Sequence, residues 1–264
     1  MDFSSPGFTR TEFTIVHSLE PNIRKKAFDF EDYLGDKYKA PFVVPIPDEI
    51  TDYEAPRIII ESKHGYSKIW VFPTKIQLIT SYDKHFSHDP EKVFNYFFNH
   101  SMELFNAFNK ILAHTRVLYC GAVIDLKVDT NYGNVVNHLS DIFLKNKDNS
   151  KLFDINLRFA YPLDDLYFLN FYISNIREFN KKKTAAIDKS LIHSPSLSLF
   201  DKLRESISLR LDFNNRLEYN NKADYELRTE RINNLFKILK KYSTENITEI
   251  LERGIINVGS NSYN

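Results

Sequence analysis

The sharpest chemical set in this sequence is two carboxylates and a lysine. Asp48 follows Pro47, and Glu61, Ser62 and Lys63 close a predicted strand over residues 57–63. Two carboxylates can hold a magnesium ion. Glu61 and Lys63 stand two apart, so on a strand they share a face. Asp48, however, lies in a loop punctuated by Pro41, Pro45 and Pro47. The plainer reading of Glu61 and Lys63 is a solvated hairpin end. A second triplet, Asp125–Leu126–Lys127, has no Pro-Asp partner near it.

Other residues invite the same weighing. Asp83, His85, His88 and Asp89 have the types and closeness of a metal site. Asp89 before Pro90 is also a standard helix start, and that job already accounts for it. Lys181, Lys182 and Lys183 could contact phosphates, with Phe168, Phe171 and Tyr172 stacking on bases. The alternative is a solvated lysine run beside core aromatics. Cys120 lies inside an apolar run, as a buried small hydrophobe does. With seven glycines and no phosphate-cradling loop, backbone-lined phosphate sites are not expected. The set Asp48, Glu61 and Lys63 resembles the PD-(D/E)xK nuclease motif, which implies metal-dependent cleavage. In that family a helix follows the ExK strand, whereas here two more strands are predicted.

These residues hang on elements that hydrophobic periodicity defines. After Asp89 and Pro90, Phe94, Phe97, Phe98, Met102, Phe105, Phe108 and Leu112 recur at steps of three and four, a long amphipathic helix. A stripe of rings at this spacing is core before it is a cofactor box. The run Val117 to Ile124 then reads as a central strand covered on both faces. Upstream, a strand over 13–17, a helix over 21–34 and strands over 57–63, 67–72 and 75–82 precede the long helix. Downstream, a strand over 116–128, a helix over 133–145 and strands over 153–159, 167–174 and 207–213 precede a second long helix, capped by Asn221. The order strand, helix, three strands, long helix thus occurs twice. The fold class expected is α+β: a duplicated unit at 1–114 and at 115–243, then a short helix and polar tail at 244–264. Together the units form a largely antiparallel, curved sheet with helices packed on one face. The link from Phe179 to Leu203 is long and is expected to be mobile.

Composition narrows the classes further. The chain is 42% hydrophobic and 27% charged, as globular proteins are. Lys plus Arg and Asp plus Glu both total 35, so no net charge favours nucleic acid or an anionic membrane. One cysteine excludes an internal disulfide and fits a reducing compartment, and no run reaches membrane-spanning length. A cytoplasmic location, no membrane and no cofactor are expected.

Length, element order and the later pattern Leu209–Arg210–Leu211–Asp212 before a long helix make the chain similar to a sporadically distributed, uncharacterised family of bacterial proteins. The similarity covers Phe13 to about Ile250 and carries no catalytic residues over. It implies an accessory role in a bacterial defence or toxin–antitoxin setting. The expectation is a non-enzymatic binding or regulatory protein whose partner is another protein. The alternatives are the nuclease using Asp48, Glu61 and Lys63, and a nucleic-acid-binding module using Lys181, Lys182 and Lys183.

Overall fold

The structure is a computed structural model that describes residues 4–46, 52–130, 134–145, 152–181 and 200–256. Its first part contains β1 (Gly7–His17), α1 (Ala27–Leu34), β2 (Phe42–Val43), β3 (Ile58–Glu61), β4 (Ser67–Val71), β5 (Lys75–Ser81) and α2 (Pro90–Ile111). There follow β6 (Val117–Asp129), α3 (Val135–Phe143), β7 (Asn156–Leu163), β8 (Tyr167–Lys181), β9 (Phe200–Asn214), α4 (Arg216–Asn221), α5 (Thr229–Thr244) and α6 (Ile247–Arg253). Among the described residues the nine strands make one antiparallel sheet, ordered β2-β3-β4-β5-β1-β6-β9-β8-β7, accompanied by six α-helices. Outward from the central β1–β6 pair, the flanks run β5, β4, β3 on one side and β9, β8, β7 on the other.

Alternation drives this sheet. In β1, Thr11, Phe13, Ile15 and His17 are buried, while Arg10, Glu12, Thr14 and Val16 stay half-exposed. In β6 the buried set is Cys120, Ala122, Ile124, Leu126 and Val128. The central strand expected to be covered on both faces is therefore covered fully on one, and its other face carries Asp125 and Lys127. The buried set meets aromatic side chains of the helices. Phe13 packs on Phe236 of α5 at 5.9 Å between ring centroids, and Phe97 of α2 meets the same ring at 4.9 Å. Phe171 of β8 meets Tyr242, and Phe159 of β7 meets Phe143 of α3. A fully buried phenylalanine of this kind contributes about 1.5–3 kcal/mol.

Local signals place several ends. Asp89 accepts from the amide of Lys92 at 3.1 Å and so caps α2, with Pro90 in its first turn. The β7–β8 turn puts Asp164 and Asp165 at φ 51° and 53°, the left-handed region that aspartate tolerates better than most side chains.

Five further expectations need correction. Strand β1 spans Gly7–His17, not 13–17, because its first half pairs with β5 and β6. Strand β7 spans 156–163, not 153–159, and Pro162 is accommodated because the strand lies at the sheet edge. Strands β8 and β9 continue to Lys181 and from Phe200, pairing with each other beyond their neighbours, so the two ends of the expected 179–203 loop, residues 179–181 and 200–203, belong to strands. Residues 182–199 lie outside the described residues. Asn221 ends the short α4 instead of capping a long helix; α5 starts only at Thr229. Between them the chain leaves the helix, and Tyr225 reaches back to accept from Asn215 Nδ2 at 2.5 Å. Finally, the buried stripe of α2 includes Ser101 and Leu104, while Phe98 and Met102 are half-buried at its border.

Candidate functional site

Pairing register decides which side chains of the half-exposed sheet face become neighbours. Arg10 lies opposite Asp125, Asp125 opposite Arg210, Arg210 opposite Tyr172, and Tyr172 opposite Arg158. With strands about 4.8 Å apart, this is a transverse row across five strands. The next row reads Glu12, Val123, Asp212, Asn170 and Ala160. Three carboxylates thus surround Val123, with three guanidiniums along the adjoining row.

Contacts within this cluster are uneven. Arg10 donates to Glu12 at 2.7 Å, and Glu12 also accepts from Gln77 at 2.9 Å and Thr14 at 3.2 Å. Asp125 has Arg210 only at 3.7 Å. Asp212 accepts from Asn170 at 3.4 Å and from Asn214 at 3.1 Å. Asn170 accepts from Arg158 at 3.3 Å, and the Arg158 guanidinium lies over the Tyr172 ring. Burial raises the Asp125 carboxyl above its ordinary value, with Arg210 and then Arg10 pulling it partly back. Burial raises Asp212 too, against the bond from Asn214 and the charge of Arg210. Arg10 Nε is buried and has no acceptor. Carboxyls raised by burial beside a donor without an acceptor make this face the candidate site.

Gly121 floors the same face. A Cβ placed there would come within 2.9 Å of the Asn214 Cβ, so a side chain would force β6 and β9 apart. The glycine serves close strand approach next to the cluster.

The residues favoured by sequence go elsewhere. Asp48 lies outside the described residues. Glu61, at the end of β3, accepts from Lys68 at 2.7 Å and Lys39 at 3.1 Å, and these lysines, Lys68 first, hold its carboxyl below its ordinary value. Lys63 points to Asp36 at 3.4 Å. Lys181 ends β8, while Lys182 and Lys183 lie outside the described residues. Asp83 accepts from the amides of His85 and Phe86 and from the Tyr66 hydroxyl, so it builds the turn before α2. Cys120 is fully buried, and burial drives its thiol far above its ordinary value. Among the described residues, no group of three His, Cys, Asp or Glu side chains is placed to share a metal ion. Among the described residues, no helix is long and apolar enough to cross a membrane.

Two patterns singled out in the sequence do meet, for a reason the sequence alone did not carry. Asp125 belongs to the discarded Asp125–Lys127 triplet, and Arg210 and Asp212 belong to the Leu-x-Leu-Asp pattern. Arg10 and Glu12 stood before the predicted strand 13–17, and Arg158 and Asn170 carried no signal beyond being polar residues within predicted or observed strands. Compared with known proteins, the chain matches no family model and no curated protein.

Proposed function

We propose that this chain is a non-enzymatic binding protein, and that the half-exposed sheet face around Val123 is where a protein partner docks. The observation that carries this reading is the pair Asp125 and Asp212. Both carboxyls are raised by burial, and Asp125 has its guanidinium at 3.7 Å, too long for a firm bond. A partner presenting a donor would complete the hydrogen bonding of Asp125, and an acceptor beside it would take the Arg10 Nε proton. Three arginines (Arg10, Arg158, Arg210) and three carboxylates (Glu12, Asp125, Asp212) lie together in the two rows, a balance that suits a protein surface of mixed charge better than a uniform polyanion.

The architecture supports the reading. The same strand order on either side of the β1–β6 pair fits two equivalent units, 1–114 and 115–243, joined edge to edge. Contacts of α2 and α5 with Phe8, Phe13, His17 and Phe171 fit helices lining one face, with the opposite face left to the partner. An accessory role in a bacterial defence or toxin–antitoxin setting is the context that the family resemblance suggests.

The test is a photo-crosslinking amino acid placed at Val123 or Ile79 in the native cell, with Asn99 on the outer side of α2 as control. A defined protein should crosslink from the sheet positions, and the Arg210→Glu substitution should abolish the product. Crosslinking from Asn99 alone, or a product indifferent to Arg210→Glu, would refute the docking face.

A further inference from the structure

The two rows around Val123 differ in a way that a twofold axis can use. The first carries the long side chains Arg10, Arg210, Tyr172 and Arg158, with Asp125 among them. The second carries two carboxylates, Glu12 and Asp212, and the shorter Val123, Asn170 and Ala160. On each strand the two rows stand two residues apart, about 6.8 Å along it. The charged side chains reach solvent: Arg10 is 38% and Arg210 42% exposed, Asp125 22% and Glu12 13%.

Sheets packed face to face lie about 10 Å apart, with their strands within about 30° of each other. Two copies of this chain can meet so through a twofold axis lying between the sheets, and two directions of that axis keep the strands aligned. An axis along β6 lays β1 of one copy over β9 of the other. Arg10 then faces Arg210, Glu12 faces Asp212 and Asp125 faces itself, like charge on like. An axis across the strands, running between the two rows, keeps each strand over its own counterpart and exchanges the rows. Arg10 then faces Glu12 of the other copy, and Arg210 faces Asp212. Tyr172 meets Asn170 and Arg158 meets Ala160, so long side chains stand over short ones. Asp125 meets Val123 and lies diagonally between Arg10 and Arg210 of the other copy, the donors nearest to it across the interface. The Arg10 Nε, which has no acceptor among the described residues, faces a carboxylate. No like-charged pair arises in the two rows.

We infer that the protein docked on this face is a second copy of the same chain, related by a twofold axis that crosses the strands between the two rows. This rests on the sheet-face reading and names its partner. Every contact occurs twice, as in any isologous interface. The matched charges select this alignment, and the like charges of the other reject it.

Analytical ultracentrifugation of the full chain tests it. The parent should be a dimer at micromolar concentration. Arg210→Glu sets carboxylate against carboxylate, Asp212→Arg sets guanidinium against guanidinium, and the axis repeats each clash. Each variant alone should self-associate about a hundredfold or more weakly than the parent. Mixed in equal amounts, the two should form a heterodimer, because the substituted side chains then face each other with opposite signs and the native ones do the same. Arg10→Glu with Glu12→Arg repeats the exchange, should circular dichroism show that the first variants fold poorly. Self-association strengthened by Arg210→Glu would point to the axis along β6 and overturn the arrangement. So would a dimer indifferent to all four substitutions, or variants that stay apart when mixed. A monomeric parent that crosslinks from Val123 to a different protein in the cell overturns the second copy and leaves the docking face standing. A monomeric parent with no crosslink from the sheet removes both.

Discussion

At the base of the β8–β9 ribbon, Glu178 accepts from Arg204 at 2.6 and 3.0 Å and also from Lys127, and these bonds, Arg204 first, bring its carboxyl down to about 2. Further along the same sheet, Asp125 and Asp212 face three arginines and yet sit above their ordinary values. The residue types are the same, and the difference lies in geometry. Around Glu178 the cations approach head-on from the neighbouring strands, Asp129 holds Ser206 at 2.8 Å, and each acceptor is met. Next to it, buried Glu205 accepts from Arg177 Nε at 2.9 Å, Asn175 at 3.2 Å and the Val135 amide at 3.1 Å, which ties the start of α3 to the ribbon. Around Val123 the cations are spent on Glu12 and Tyr172 or held at a distance. One region has its charges closed upon themselves, as structural ion pairs do. The other keeps Asp125 without a firm bond and the Arg10 Nε donor without an acceptor, and meets Asp212 only with neutral amides.

The largest effect should come from the closed region. Glu205→Ala removes the buried acceptor of three donors and leaves Arg177 Nε and the Val135 amide without it, while Asp154 and the Phe153 carbonyl still hold the rest of the guanidinium, which costs about 1–3 kcal/mol. Urea denaturation measures it, and a loss below about 1 kcal/mol would show that Glu205 does not hold the ribbon to α3.

A pH series sharpens the comparison, because the two regions have opposite signs. Glu178 has a folded value below its ordinary one, so its contribution is complete above pH ~4.5 and is lost as the pH falls towards about 2. Glu178→Gln should therefore be the less stable chain at pH 7, with the gap closing in acid. As an exposed ion pair it is worth at most about 1 kcal/mol. Asp125 and Asp212 have raised folded values, so ionising them costs stability, and the cost disappears as the pH falls through those values. The double variant Asp125→Asn, Asp212→Asn should be at least as stable as the parent at pH 7, its advantage shrinking towards pH 4. Thermal melts at pH 7 and pH 4 decide the matter. A double variant less stable at pH 7 than at pH 4, relative to the parent, would assign these carboxylates a structural job.

The smallest effect should be at Glu61. Its carboxylate is shared by two exposed lysines, so Glu61→Ala and Lys63→Ala should leave the melting temperature unchanged within error. The parent protein should cleave neither DNA nor RNA in magnesium or manganese. Metal-dependent cleavage that both substitutions remove would replace the binding reading with the nuclease.

The pairing Asp89–Pro90, the ring spacing through α2 and the alternation of Ile207, Leu209, Leu211 and Phe213 in β9 are patterns within a few residues, and the sequence displays them directly. They were enough to give an α+β protein and to place most elements. They could not place the end of β8 or the start of β9, because residues 175–181 and 200–206 are held by each other across the ribbon and not by a local pattern. Nor could they place α5, since Tyr225 matches helical spacing and is instead buried against Asn215. The candidate face was still less legible. Arg10, Asp125, Arg210 and Arg158 come from four strands spread over most of the chain, and each alone is an ordinary polar residue on a half-exposed strand. Strand order and register make them one row, and both are set by non-local backbone pairing and burial of the opposite face. The types of charge were fixed in the sequence. Their adjacency, and with it the raised carboxyls, arises only when the sheet closes around Val123.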